Sequence, residues 1–255
     1  MSISHLLLTT LILTVAIAGR YLLVVVGVYW LVWGRKDGPV IGRRLNRDRP
    51  KASTIRHELK LSLLSSWIYA LPAAVVWEAW RGGGTLIYLD VARYGVAWLF
   101  VSGALYLLIQ DTYYYWLHRL MHRHAVFRYV HAGHHRSRQP TPFASFSFDW
   151  AEAALAAWLL PALTFLIPIH PAVIVVLLTI MTIAAVLNHA GSELLPEWLV
   201  EGPVGAWLIS ATHHSVHHTH YGANFGLYFR FWDRAMGTDM MPARERPASV
   251  EAPVG

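Results

Sequence analysis

The chain contains no cysteine. That absence excludes disulfides, thiolate-bound metals and cysteine-held Fe–S clusters. Charge is scarce too: Asp, Glu, Lys and Arg make up 14% of the 255 residues, against about 25% in ordinary soluble domains. No H-E-x-x-H occurs, which argues against a zinc metalloprotease, and no Glu-x-x-His pair of the kind soluble di-iron bundles use. The triple glycine at 82–84 lacks both a preceding strand and the G-x-G-x-x-G spacing, so it is not a nucleotide loop. No dinucleotide fingerprint, fused haem domain, internal repeat or low-complexity segment is found, and no nucleic-acid partner is expected. Lysine is greatly outnumbered by arginine, and the last residues, EAPVG, carry no K-D-E-L-type signal. Both features lean toward a bacterial inner membrane over the endoplasmic reticulum.

What is present is apolar. Hydrophobic residues are 55% of the chain and mean hydropathy is +0.38, with apolar runs of about 20 residues that read as membrane spans. The expected fold is all-α, an integral membrane bundle of about four to five transmembrane helices. A first span covers Leu6 to Trp33, with Arg20 as a costly interior charge. It is too long for a signal-peptide core and reads as a retained anchor, either one tilted helix or two pieces broken near Gly19. The segment Arg35–Lys60 holds nine Lys/Arg against three Asp/Glu, and the positive-inside rule places it in the cytoplasm. Further spans are Leu61–Trp80, Val91–Trp116, and a hairpin of Trp150–Ile167 and Pro171–Asn188 turning at the PIHP joint. The organisation expected is an N-terminal anchor with its basic loop (1–60), a membrane domain (61–240) and a short tail (241–255).

Eleven of the fifteen histidines lie in two stretches, 118–135 and 213–220. His118 and His122 form H-x-x-x-H. His131, His134 and His135 form H-x-x-H-H, and His214, His217 and His218 repeat that pattern. Three and four are the two helical neighbour spacings, so each triplet is expected to converge on a common point. His189, at the end of the hairpin, brings the candidate ligands to nine, which suits two metals with four or five imidazoles each. Iron, copper, zinc and nickel all accept imidazole, so ligand type alone does not choose the metal. Counting crossings from a cytoplasmic basic loop puts both clusters and His189 on the cytoplasmic side.

The segments DTYYYWLHRLMH, YVHAGHH, PTPFAS, NHAGSELLP and HHSVHHTHYGANFGLYFRFWDRAMGT follow one another in order between Asp111 and Thr238, half the chain. This set closely resembles the fatty acid hydroxylase / sterol desaturase superfamily of histidine-box membrane enzymes, in the style of its sterol desaturases. The resemblance implies two iron ions, O₂ as co-substrate, and hydrogen abstraction from an unactivated C–H bond of a lipid, ending in an alcohol or an alkene. The implied site consists of the nine histidines, on the cytoplasmic side. Electrons would come from a separate ferredoxin or cytochrome with its reductase, and the lipid from the bilayer. Two departures weaken transfer of a particular substrate. FSFDW places Phe146 and Asp149 where sterol desaturases commonly carry histidines, and Ala185 stands where fatty acid 2-hydroxylases have an extra one.

His213 adjoins the last triplet as a possible tenth ligand. Asp111, two turns before His118, and Asp233 are expected to support the site by accepting an imidazole's second N–H. His124 and His220 are off the spacing and read as solvated; His5, His57 and His170 read as incidental. Two rival functions remain at this point: a metal-dependent lipid enzyme that does not use O₂, and a metal-binding or transport protein. Transporter histidine loops are usually irregular, unlike these regularly spaced boxes.

Overall fold

A computed structural model describes residues 2–34 and 42–241. Arg35, Lys36 and Asp37 of the basic segment, and the tail from 242 onward, lie outside the described residues. Among those described, four helices are long and apolar enough to cross a membrane: α1 (Ile3–Trp33), α2 (Ala52–Arg81), α3 (Val96–Met121), and one near the middle of the chain, Pro171–Asn188. Between the third and fourth run α4 (His124–Val130), α5 (Ala132–His135), α6 (Trp150–Ala157) and α7 (Leu159–Leu163), so the fourth long helix is α8. Shorter helices α9 (Glu197–Val200), α10 (Ala211–His217) and α11 (Phe231–Ala235) follow. The described strands are β1 (Arg43–Arg44) and β2 (Ser192–Glu193), paired antiparallel.

Helix α1 is a single continuous helix, with no break at Gly19. At 1.5 Å per residue its 31 residues reach about 46 Å. Leu7, Leu11, Val15 and Leu23 along it are exposed, as lipid-facing residues would be, while Tyr21, Val25 and Val32 pack inward. The facing side of α2 carries Ser62, Ser65, Ser66, Ala70 and Ala74, all buried; such small side chains let neighbouring segments approach closely. The PTPFAS segment uses that room. Its Phe143 carbonyl accepts from Tyr21 Oη (2.8 Å) and Ser62 Oγ (3.0 Å).

Three sequence expectations are corrected. The second half of the basic segment is helical, because α2 begins at Ala52 and turns Glu58 inward, where its carboxylate accepts from the Thr141 hydroxyl. The third span starts at Val96, since Gly95 takes φ +79° and ends the preceding turn. Trp150–Ile167 is not one helix but α6 followed by α7, parted at Trp158. Pro161 is the physical reason: it has no N–H to give to the carbonyl four residues earlier, and its ring crowds that turn. The PIHP joint between α7 and α8 is extended. Ile169 bridges Ile87, and the His170 ring accepts from Ala172 N to cap α8, so His170 has a structural task.

The chain directions place two distinct ends on the bundle. At one end lie 82–95 and 164–171, joined by Leu86 N to Thr164 O and Tyr88 N to Ile169 O. At the other end α1 and α8 finish, α2 begins and α3 finishes. Trp33 Nε1 donates to the Ala190 carbonyl at 3.0 Å, and Asn46 Nδ2 to the Pro140 carbonyl at 2.8 Å. Gly191 shows how tight this end is. It takes φ +71°, and a Cβ there would lie 2.5 Å from Asn46 Nδ2, so only glycine suits the turn that follows His189.

Candidate metal centre

All nine predicted imidazoles meet at that second end. They divide into two groups: His118, His122, His131, His135 and His217 in one, and His134, His189, His214 and His218 in the other. Within each, the ligand nitrogens lie within 4.8 Å of one another. An ion about 2.1 Å from each nitrogen would set adjacent ones about 3 Å and opposite ones about 4.2 Å apart, so either cage is of a size to hold one. Several Nε2 atoms already stand at the adjacent spacing: His118 to His131 at 3.1 Å, His217 to His135 at 3.1 Å, His214 to His189 at 2.9 Å and to His218 at 3.1 Å.

The groups do not follow the sequence boxes. Each H-x-x-H-H triplet was expected to share one point; instead each is divided between the groups. A step of four residues turns a helix by about 40° from its start, whereas a step of three leaves it about 60° short of a full turn on the other side. The four-step pairs therefore stay together (118 with 122, 131 with 135, 214 with 218), and the three-step partners His134 and His217 cross to the other group. This interleaving brings the cages into contact, with the His135 and His218 ring centroids 4.8 Å apart.

The outer nitrogens explain how the rings are aimed. Nδ1 of His118 donates to Phe225 O (2.9 Å), His134 to Ser147 O (3.1 Å), His189 to Ala185 O (2.8 Å) and His217 to Ala223 O (2.7 Å). A proton held on Nδ1 leaves Nε2 with a lone pair facing inward, the tautomer a metal ligand needs. His131 differs: its Nδ1 lies 2.7 Å from Glu152 Oε2. Buried His122 Nε2 has no protein partner at all, an orphan that a bound cation would satisfy. Chemistry and geometry both fit a metal.

Burial pulls the imidazoles of His122 and His134 down to about 4 and that of His189 to about 3. Burial, reinforced by the neighbouring rings, also pushes His131, His214 and His218 well below their usual range. The folded chain therefore binds fewer protons than the unfolded one between the ordinary histidine value near 6.5 and the lowered values. Stability is fully present above about pH 6.5 and is lost as pH falls toward 4 and 3. We expect thermal unfolding of metal-free protein, stepped from pH 7.5 to 4, to show a progressively lower midpoint; a flat profile would contradict the neutral, buried cage.

His213 belongs to neither group. Its Nε2 lies 2.9 Å from Asp239 Oδ1, and Asp239 also receives Arg230. The two aspartates are likewise corrected, because neither accepts from an imidazole. Asp111 takes the backbone N–H groups of Tyr228 and Phe229 (2.8 and 3.1 Å). Asp233 takes those of Phe225 and Gly226 (2.9 and 2.8 Å) and the Thr238 hydroxyl (2.8 Å). Both hold the loop whose Phe225 carbonyl orients His118, and so act one step removed. Asn224 in the same loop has φ +59° and is bonded through its side-chain amide to His213 O, Met240 O and Met240 N; the N-F-G tripeptide was its signal. His57, read as incidental, contacts the Gly133 carbonyl at 3.1 Å. Glu152 was missed outright, and its one sequence signal is an acid inside an apolar run.

With this geometry in view, comparison with known proteins is informative. The fatty acid hydroxylase family pattern matches residues 103–238. The chain belongs to the fatty acid hydroxylase family. Among curated relatives of this family member, a Delta(7)-sterol 5(6)-desaturase of Gibberella zeae is 28% identical over 214 residues, covering 84% of this chain and 65% of its own. Lathosterol oxidase of Homo sapiens is 30% identical over 192 residues, covering 74% of this chain and 62% of its own. The chain thus spans slightly less than two thirds of the length of these two relatives. No solved structure gives a significant match.

Proposed function

We propose that this fatty acid hydroxylase family member is a membrane-bound oxidoreductase that hydroxylates or desaturates a lipid, with the nine histidines holding two iron ions. The observation that carries the reading is the pair of imidazole cages, five and four, with inward nitrogens at one end of a bilayer-sized bundle. Bound iron would supply O₂-dependent removal of hydrogen from an unactivated C–H bond. The chain's own part is to aim His118, His131, His134, His189 and His217 through their outer nitrogens, to exclude water and to admit a lipid from the bilayer beside the nine rings. The sterol desaturase and lathosterol oxidase names of the relatives support a sterol-like, hopanoid or acyl substrate. Electrons would arrive from a separate ferredoxin or cytochrome with its reductase.

The side of the membrane follows from charge. Arg43, Arg44, Arg47, Arg49, Lys51, Arg56 and Lys60 lie between α1 and the first turns of α2, at the same end as the cages. The positive-inside rule supports a cytoplasmic centre, and the excess of arginine over lysine supports a bacterial inner membrane over the endoplasmic reticulum. The test compares total lipids, by mass spectrometry, from cells with and without the protein. One lipid class should gain an oxygen (hydroxylation) or lose two hydrogens (desaturation), and purified protein should carry about two irons, matching the two cages. Unchanged lipids together with metal-free protein would sink the reading. Product formed under strict anoxia would favour a metal enzyme that does not use O₂.

A further inference from the structure

The two cages differ at one point that none of the histidine boxes contains. Outer imidazole nitrogens of four ligands meet neutral backbone carbonyls, whereas His131 alone among the nine meets a carboxylate, Glu152. Glu152 is fully buried on α6, where its other hydrogen-bonding neighbour is the uncharged Tyr114 hydroxyl. No lysine or arginine is paired with it among the described ion pairs. A buried carboxylate without a counter-charge is strongly disfavoured; a dication on the far nitrogen of His131 would provide one. The carboxylate would in return strengthen His131 as a donor.

Resting on the iron-binding reading above, we infer that Glu152 is a positioning residue that makes the two metal sites unequal, tightening the five-histidine site through His131 and leaving the four-histidine site untouched. Glu152 sits in the first turn of α6, which ends at Ala157. The pair links α6 to the short connection between α4 and α5, so the ring orientation of His131 depends on a residue 21 positions away.

The experiment is an anaerobic titration of metal-free protein in lipid nanodiscs with ⁵⁷Fe²⁺ alone, followed by Mössbauer spectroscopy and by iron bound per chain. Wild-type protein should take about two irons with two distinguishable signals, and failure there refutes the iron-binding reading itself. Glu152→Gln keeps the shape and one acceptor oxygen but removes the charge. It should weaken one binding step by about 10–100-fold and shift one signal only. Two unchanged steps, or equal weakening of both, would overturn the inference while leaving the iron reading standing. Should the glutamine variant fail to accumulate, Glu152→Asp takes its place. The shorter side chain should shift the same single signal, and an unshifted spectrum would overturn the inference as well.

Discussion

Replacing His217 by alanine should abolish lipid product formation, by more than about 100-fold, while the chain still inserts in the membrane. The expectation comes from where the ring sits. His217 is fully buried; its Nε2 stands 3.1 Å from that of His135, and its ring centroid is 4.4 Å from that of His118. It is the one ligand of the five-histidine group supplied by α10, whose neighbours His214 and His218 serve the other group. Removing it opens one cage and takes away the pin between α10 and the Ala223 carbonyl. The substituted site is remote from the lipid-facing surfaces of α1, α2 and α8, so yield in the membrane fraction should hold. Iron per chain should fall toward one, and full activity with the variant would refute the assignment of His217.

Asp233→Ala should be the most damaging change outside the histidines. The carboxylate is fully buried and is the acceptor for two backbone N–H groups and a hydroxyl. Alanine leaves the two buried backbone donors without partners, at about 1–3 kcal/mol for each, so a loss of about 2–6 kcal/mol is expected, while the Thr238 hydroxyl keeps Tyr115 as a partner. The effect should also reach the metal. Phe225, released from Asp233, carries the carbonyl that fixes His118, and its ring packs against His118, His122 and His217 at 5.3–5.7 Å. Thermal unfolding and iron content should fall together. A variant with wild-type iron and a lowered midpoint would mean the loop supports stability alone.

Much of this was legible in the chain before any coordinates. Helix-forming apolar runs declare their own length, so the four long helices could be located, with errors at Gly95, which delays α3, and at the start of α2, whose polar first turns read as loop. Pro161 parted a further apolar run into two short helices. Eight of the nine imidazoles were recognisable from spacing, and His189 from its place at the end of an apolar run and from the family resemblance. Their division was not, because three-step and four-step neighbours look equivalent along a sequence yet diverge by about 100° around a helix. Long-range polar pairs were the least visible. Asp111 and Asp233 were assigned to imidazoles, but backbone N–H groups of the 225–229 loop reached them first, from far along the chain for Asp111 and from seven and eight residues away for Asp233. Glu152 carried no motif, and its partner His131 lies across a loop and a helix start.

Three contacts at the histidine end join very distant parts of the chain: Trp33 with Ala190, Asn46 with Pro140, and the Arg43 guanidinium with the Thr212 hydroxyl at 2.8 Å, separations of 157, 94 and 169 residues. Their order in synthesis is fixed. Ribosomes add about 5–20 residues per second, so the end of α1 waits many seconds in the membrane before the segments that lock it exist. The lipid-facing helices can settle early, through neighbours close in sequence, but the cages close last. Any metal must therefore wait until α10 has been synthesised, and a cell starved of it would accumulate inserted protein with an open, protonatable end.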